Sequence, residues 1–378
     1  MISFETKVSS QPKVSSRGQR VTLTLPNSQR VSVSLALIPE VGYGDQLKIE
    51  GRVKYFEAEN GNKIAIISYP EFELTEVGSD TNLILKVRED IISLFNSSLN
   101  PKFSSLVLGI TFGIKQEMPK DFHDKLEKTG LLHVIAASGM NITMVGGFLM
   151  TLFAIFLKRQ IALIFTILGI VFYAFMAGLE PSIVRASIMG ILVFSAQLTG
   201  RQSSAFLGLF IAAFLMLFKN PSLIHDIGFQ LSFMATLGLI YLRPLFFLKL
   251  KIKKSLEKSF IGEDLATTIS AQIFTLPILL INFGSYSIVS ILVNALVLWT
   301  VPIIMIIGGI SAVLGLIYDP LGYILSYLSI PFLLYFEKIV DLFSGFGSSL
   351  SIERIPFIVI VGYYLILASI TTYLKSKE

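Results

Sequence analysis

The sequence predicts an α-helical polytopic membrane protein with an N-terminal all-β domain of the OB-like barrel type. Three observations lead there. Hydrophobic residues fill 53% of the 378 positions and charged residues only 15%, against about 25% charged in average usage. Past residue 130 the apolar residues gather into runs of the length a bilayer crossing needs, and mean hydropathy over the whole chain is +0.71. The first 80 residues behave differently, alternating apolar and polar positions with the period of a half-buried strand.

In "QRVTLTLPNSQRVSVSLAL", Val21, Leu23 and Leu25 face one way and Thr22 and Thr24 the other. "GDQLKIEGRVKYFEAENGNKIAIISY" repeats the alternation around turn signals at Gly44-Asp45 and Asn60-Gly61-Asn62. Five or six strands are expected, at 2–8, 19–25, 30–37, 46–57, 63–69 and 71–75. That number suits a small OB-type barrel, a fold that often binds single strands or sugars, and other small β-barrels or half-sandwiches fit as well. Residues 1–80 hold nine Lys/Arg against ten Asp/Glu, so the domain as a whole is not basic. The basic residues concentrate early, and Lys7, Lys13, Arg17, Arg20 and Arg30 are the candidate DNA-binding residues. An ordinary solvated surface is an equal reading of the same charges.

Residues 81–128 are expected to be amphipathic or interfacial helices. "LILKVREDIISLF" sets apolar residues at helical spacing opposite a charged face. The apolar run 103–114 is short for a span and reads as interfacial or re-entrant. Residues 129–378 form the multi-pass part, with apolar stretches at 133–157, 161–179, 184–200, 204–219, 226–248, 264–283, 286–317, 321–343 and 356–374. The stretch 286–317 is one tilted span, a broken helix or two segments divided near Pro302, so about eight to ten helices are expected. Pro277 is a second candidate break. The run Lys249, Lys251, Lys253, Lys254, Lys258 marks a cytoplasmic loop. Counting back from it puts the β domain on the extracytoplasmic side. No cleavable leader or earlier span is read ahead of that domain, so its export has no evident driver, and a start truncated relative to relatives or a cytoplasmic domain is the alternative expectation.

The chain has no cysteine, and its three histidines show no H-x-H or H-E-x-x-H spacing, so no metal, cofactor or thiolate chemistry is expected. No P-loop is present, so any ATP use belongs to a partner. Attention falls on polar residues inside the apolar runs, since an unpaired polar group in hydrocarbon costs several kcal/mol. "HVIAASGMN" packs His133, Ser138, Gly139 and Asn141 into nine residues. That composition favours a discontinuous helix or a lined aqueous path over interhelical hydrogen bonding with small-residue packing. Arg185, following Pro181, either faces an anion near a span's mouth or snorkels and pairs with Glu180. Asp226 and Gln230, four apart, share a helix face as a lining or a cap. Asn294 sits mid-span facing the bundle interior.

"TGLLHVIAASGMN" resembles the pattern H-L-L-A-I-S-G-L-H of the ComEC competence proteins, which import single-stranded DNA in natural transformation. "AFMAGLEPSIVRASIMG", "LFKNPSLIHDIGFQLSFMATLGLI" and "TLPILLINFGSYSIVSILVNALVLWTVPI" match in the same order. "GDQLKIEGRV" resembles that family's N-terminal OB-like domain. The resemblance implies a conduit for single-stranded DNA in the cytoplasmic membrane, with His133, Ser138, Gly139, Asn141, Arg185, Asp226, Gln230 and Asn294 along the path. It implies as partners the lipid bilayer, a competence DNA receptor, a cytoplasmic translocase ATPase and a separate nuclease; a homo-oligomer is also compatible. Asn141 stands where the family has its second histidine. No His/Asp cluster of a metallo-β-lactamase-like nuclease follows, so a short form that is not itself an enzyme is expected.

Two other readings have their own signals. A small-molecule transporter would place its site at broken helices. An intramembrane serine hydrolase would use Ser138 in "AASG" with His225, because His133 lies five residues away, about 140° around a helix.

Overall fold

The computed structural model describes residues 2–7, 13–15, 18–24, 30–36, 46–51, 54–57, 63–68, 70–76, 83–114, 116, 118–135, 138–249, 260–283, 285–287, 289–345, 349–351 and 357–375. Two units divide within the first helix, at Lys86 and Val87.

The first unit is all β. Its strands are β1 (Ile2–Lys7), β2 (Lys13–Ser15), β3 (Gly18–Thr24), β4 (Arg30–Leu35), β5 (Gln46–Gly51), β6 (Lys54–Glu57), β7 (Lys63–Ser68) and β8 (Glu71–Glu76). The expected strand at 46–57 is thus two, and β2 is an addition. Among the described residues they form two sheets and no closed barrel. One runs β2-β3-β4-β7-β6, with β4 and β7 parallel; the other runs β1-β5-β8. Alternation does its expected work. Val21 pairs with Val33 and Leu23 with Val31, and Val21, Leu23, Val33 and Leu35 are fully buried. In the second sheet Thr6 pairs with Leu47, and Leu47 and Ile49 are buried in the same way.

The second unit is helical. It comprises α1 (Leu83–Ser98), α2 (Pro101–Phe112), α3 (Lys120–Thr129), α4 (Leu132–Ile135), α5 (Gly139–Phe156), α6 (Arg159–Met176), α7 (Pro181–Leu198) and α8 (Ala205–Lys219). A short 3-10 turn, Pro221–His225, leads into α9 (Ile227–Lys249). There follow α10 (Phe260–Phe283), α11 (Ser290–Val297), α12 (Thr300–Gly315), α13 (Asp319–Tyr327), α14 (Ile330–Ser344) and α15 (Phe357–Lys375). A two-stranded ribbon joins β9 (Ser285–Ser287) to β10 (Ser349–Ser351).

The large hydrophobic side chains exposed on this unit, from Phe148 and Ile155 to Phe210, Val313 and Ile366, lie on the helices from α5 onward and their connections. That is the surface of a protein whose solvent is hydrocarbon. Among the described residues three helical runs are long and apolar enough to cross a membrane: Leu132–Phe156, Arg159–Met176 and Pro181–Leu198. Counting each bent pair as one span gives five, fewer than the eight to ten expected, because α8 and the apolar parts of α10 and α15 are shorter.

The region before them behaves in two ways. Helix α1 is amphipathic, burying Ile91, Leu94 and Phe95, with Leu99 buried just past its end. Helix α2 departs from expectation, for every residue from Phe103 to Thr111 is buried, against α12, α14 and α4. An interfacial helix keeps one face free; α2 is a core helix, and its shortness reflects burial in protein rather than partial insertion in lipid. Asn100 caps its start, accepting from the Phe103 N–H at 2.8 Å. Gly113, left-handed with φ of 67°, ends it.

Prolines do not act alike here. Pro302 lies in the first turn of α12, where no donor is missed, and the break falls just before it. There α11 and α12 meet at 48°. Pro277 breaks nothing, since α10 runs through it. A proline frees the carbonyl four residues back, here that of Ile273, and the Tyr363 hydroxyl donates to it at 2.8 Å. Helices α13 and α14, expected as one span, bend by 44° at Leu328-Ser329.

Candidate functional site

The break between α4 and α5 is where the sequence-selected residues converge. Ser138 occupies the N-cap position of α5 in extended geometry, yet its side chain makes no capping bond. Its hydroxyl instead donates to Oδ1 of Asn141 at 3.2 Å. The Asn141 N–H bonds the Ser138 carbonyl at 3.1 Å, and the Gly139 and Met140 N–H groups have no side-chain acceptor among the described residues.

Asn141 is 2% exposed and works as a bracket. Because the Ile114 N–H bonds back to Leu108, the carbonyl of Ile110 at the end of α2 loses its helical partner, and that of Thr111 follows it at the helix end. Asn141 Nδ2 donates to the Ile110 carbonyl at 2.7 Å, and the Tyr173 hydroxyl of α6 donates to that of Thr111 at 2.9 Å. Three helices are joined by two side-chain donors that close one helix end.

Arg185 lies in the second turn of α7 and is 8% exposed. Its Nε donates to the Ser232 hydroxyl at 2.6 Å, and Nη1 donates to the Thr236 hydroxyl. Ser232 and Thr236 stand four apart on α9 and so present their hydroxyls on one face. The Phe233 ring and the Met189 sulfur complete the surroundings. Nη2 has no acceptor, and no carboxylate comes within ion-pair distance of Arg185 among the described residues. The pairing with Glu180 is therefore absent. Nη2 lies against Gly139, where a β-carbon would come within 2.8 Å of it. Glycine at the first position of α5 is thus what allows the guanidinium to reach that turn.

The remaining residues are apart from this cluster. His133 is exposed on α4, its Nδ1–H donating to the Gly130 carbonyl at 2.9 Å, which leaves Nε2 free. Asp226 is exposed and caps α9, accepting from the Phe229 N–H at 2.7 Å, while Gln230 donates to the Ile224 carbonyl at 2.8 Å. These two form a local cap. Asn294 is buried on α11 with Oδ1 unsatisfied. Lys13 pairs with Arg20, and Arg30 with Thr24, so alternation sets these positions on the face opposite Val21 and Leu23. Lys7 belongs to the other sheet, beside Gln46. Arg17 and most of the lysine run, residues 250–259, lie outside the described residues.

The sequence reading missed Tyr173, Ser232 and Thr236. The last two had a signal in their four-residue spacing within an apolar run; Tyr173 had none. A groove of 260 Å³ between α5 and α12, lined by Met144, Gly147, Phe148, Thr151, Pro302 and Ile306, includes none of the selected polar residues. On α3 the exposed trio His123, Asp124 and Glu127 brings its ligand atoms within 4.8 Å of one another, an arrangement common without any metal.

The family model described as competence protein matches residues 110–377. The chain belongs to the competence-protein family. The match takes in every helix from α3 to α15, and with them the Arg185 cluster. ComE operon protein 3 of Bacillus subtilis (strain 168) is 27% identical over 232 residues, which is 61% of this competence-family chain and 29% of the relative. An uncharacterized protein of Aquifex aeolicus (strain VF5) is 27% identical over 157 residues, 41% of the chain and 37% of that relative. The chain thus spans well under half the length of these curated relatives. No solved structure matches.

Proposed function

We propose that this protein acts in DNA uptake during natural competence, conducting single-stranded DNA across the cytoplasmic membrane past the α4/α5 break. One observation carries the reading. In a competence-family chain whose helices face hydrocarbon, the buried cation Arg185 stands at a helix break without a counter-ion among the described residues. Burying an ion costs several kcal/mol even after relaxation, so an uncompensated one is retained for a partner that arrives. A nucleic-acid backbone supplies such a partner at every nucleotide. A single cation with weak hydroxyl tethers also lets each phosphate leave, as conduction requires.

Within this reading His133, with Nε2 free, and Ser138 border the path. Asn141 we assign to bracing, since its carboxamide is committed to Ile110 and Ser138. Asp226 and Gln230 we assign to capping α9. The bond of Ser138 to a carboxamide rather than to an imidazole favours a conduit over a serine hydrolase. A solute site in the groove at Met144 is less favoured, because its lining is apolar.

For the β unit we propose an OB-like arrangement. The two sheets are linked wherever β1 runs on to β2 and β5 to β6, as a small Greek-key barrel requires. Lys13, Arg20 and Arg30 on one face then offer a salt-sensitive contact to single-stranded DNA. We place this unit on the extracytoplasmic side, with a DNA receptor, a translocase ATPase and a nuclease as separate partners. The chain itself is proposed to be no enzyme.

Two experiments test these statements. In competent cells His133→Ala should abolish import of labelled DNA at normal protein abundance, while Ser138→Ala retains most import. Normal import by His133→Ala, or complete loss in Ser138→Ala, counts against the conduit. Single cysteines introduced into this cysteine-free chain should react with an impermeant maleimide near residue 60 and resist it near residue 254. The reverse pattern moves the β unit to the cytoplasm.

A further inference from the structure

We propose that Arg185 and the uncapped first turn of α5 form a binding site for one phosphodiester group. The proposal rests on the conduit reading and names the chemistry of its narrowest recognition step. Two independent features point to an anion. The first is the guanidinium itself, more than nine-tenths buried, without a carboxylate partner and with Nη2 unused among the described residues. The second is the start of α5, where Ser138 turns its hydroxyl away to Asn141 and, with the Asn141 N–H held by the Ser138 carbonyl, the Gly139 and Met140 N–H groups have no side-chain acceptor among the described residues. Helix N-termini carry a partial positive charge and donors that point outward. Gly139 brings the two features into contact.

The helices reinforce this. Short connections make α5, α6, α7, α8 and α9 alternate in direction, so α5, α7 and α9 start at the same end of the unit. Arg185 lies near the start of α7 and reaches Gly139 at the start of α5 and Ser232 in the second turn of α9. Three positive helix ends therefore surround one buried cation. Ser232 and Thr236 hold two guanidinium nitrogens and leave the third to the ligand, which fixes the fork without neutralising it.

The shared chemistry is a phosphodiester monoanion, and it has two sources, the nucleic-acid backbone and a lipid headgroup. The test uses the full chain in nanodiscs of a phosphate-free lipid, digalactosyl diacylglycerol, with a fluorescent oligothymidylate as probe. The β unit is unchanged in every variant, so binding there is a constant background. Arg185→Gln should weaken oligothymidylate binding about ten- to a hundredfold, the range for hydrogen bonds to a charged group. Arg185→Lys should recover part of it, having charge without the fork. Gly139→Ala should weaken binding although the charge remains, because its β-carbon takes the position of Nη2. An oligomer with uncharged methylphosphonate linkages should gain nothing from Arg185.

Wild-type affinity in an Arg185→Gln protein of normal melting temperature overturns the site. If that variant does not fold, Gly139→Ala and Thr236→Val decide, and unchanged affinity in both overturns it. Nanodiscs containing phosphatidylglycerol separate the sources. Arg185-dependent stabilisation by that lipid, with no response to oligothymidylate, upholds a phosphodiester site and removes support from the conduit. Lost import by Arg185→Gln in cells with unchanged binding in discs overturns the site and leaves the conduit standing.

Discussion

Two interruptions of helix, one between α4 and α5 and one between α11 and α12, look alike in the sequence and differ in the fold. At the second, two carbonyls beside the break find neutral partners. The Tyr335 hydroxyl of α14 donates to the Leu296 carbonyl at 3.1 Å, and Thr300 donates its own hydroxyl to Val297 at 2.8 Å. Trp299 packs edge-on against Tyr335, with ring centres 5.3 Å apart. At the first, Ser138 declines to cap and a guanidinium stands by without a counter-ion. A break whose freed carbonyls are answered by neutral side chains is architecture. One that leaves donors and charge unanswered is waiting for something else.

The comparison can be broken most directly by exchanging its two sides. Arg185→Gln should abolish DNA import while membrane abundance stays near normal. Tyr335→Phe should leave import intact and lower stability by about 0.5–1.5 kcal/mol, the range for one interhelical hydrogen bond in a membrane protein. Import and thermal unfolding measured on the same pair check this; equal loss of import by both erases the distinction.

A second, smaller effect sharpens the contrast inside the first break, between Asn141 and Arg185. Asn141→Leu leaves the Ile110 carbonyl without its donor and should cost about 1–3 kcal/mol. The loss should register in unfolding of the purified protein whether or not DNA is present. A stable Asn141→Leu protein that fails only in import would return Asn141 to the path.

The smallest effect lies outside both breaks, where α3 docks on α14. Lys102 pairs with Glu337 at 2.6 Å, and Lys125 bonds Asp121 at 2.9 Å and Asp341 at 3.2 Å. Asp121 first, then Asp341, holds the Lys125 ammonium above the ordinary lysine value of 10.5. A raised folded value favours the protonated form. The contribution is therefore full below 10.5 and fades as pH climbs through the raised value. The protection of α3 against hydrogen exchange, taken relative to the base-catalysed rate of the open chain, should fall in that alkaline window, and Lys125→Ala should remove the dependence. Identical profiles for both proteins would show that Phe122 and Leu126, both buried, hold α3 unaided.

Much of the architecture follows from patterning alone. Alternation at Val21 to Leu25 and Val31 to Leu35 fixes which strand face is buried, because a one-residue slip would turn every apolar side chain outward. Apolar runs place the starts and ends of α6 to α9 within a few residues, because hydrocarbon leaves a helix no other way to satisfy its backbone. The composition of "HVIAASGMN" likewise announces an interruption before any coordinates are known.

What patterning leaves undecided is which partner each polar group meets. Asn141 and Arg185 read alike as polar residues in an apolar run. One proves committed to the end of α2, thirty-one residues back, and the other is held by hydroxyls forty-seven and fifty-one residues on. Helix α2 reads as a partial insertion and is a buried core helix, because its length says nothing about whether lipid or protein surrounds it. Pro277 reads as a break and is none, because Tyr363, ninety residues beyond the freed Ile273 carbonyl, supplies the missing donor. Helical propensity and hydropathy are local and survive in the sequence, whereas the satisfaction of a buried donor, acceptor or charge depends on which distant segment folds against it, and only the tertiary structure decides that.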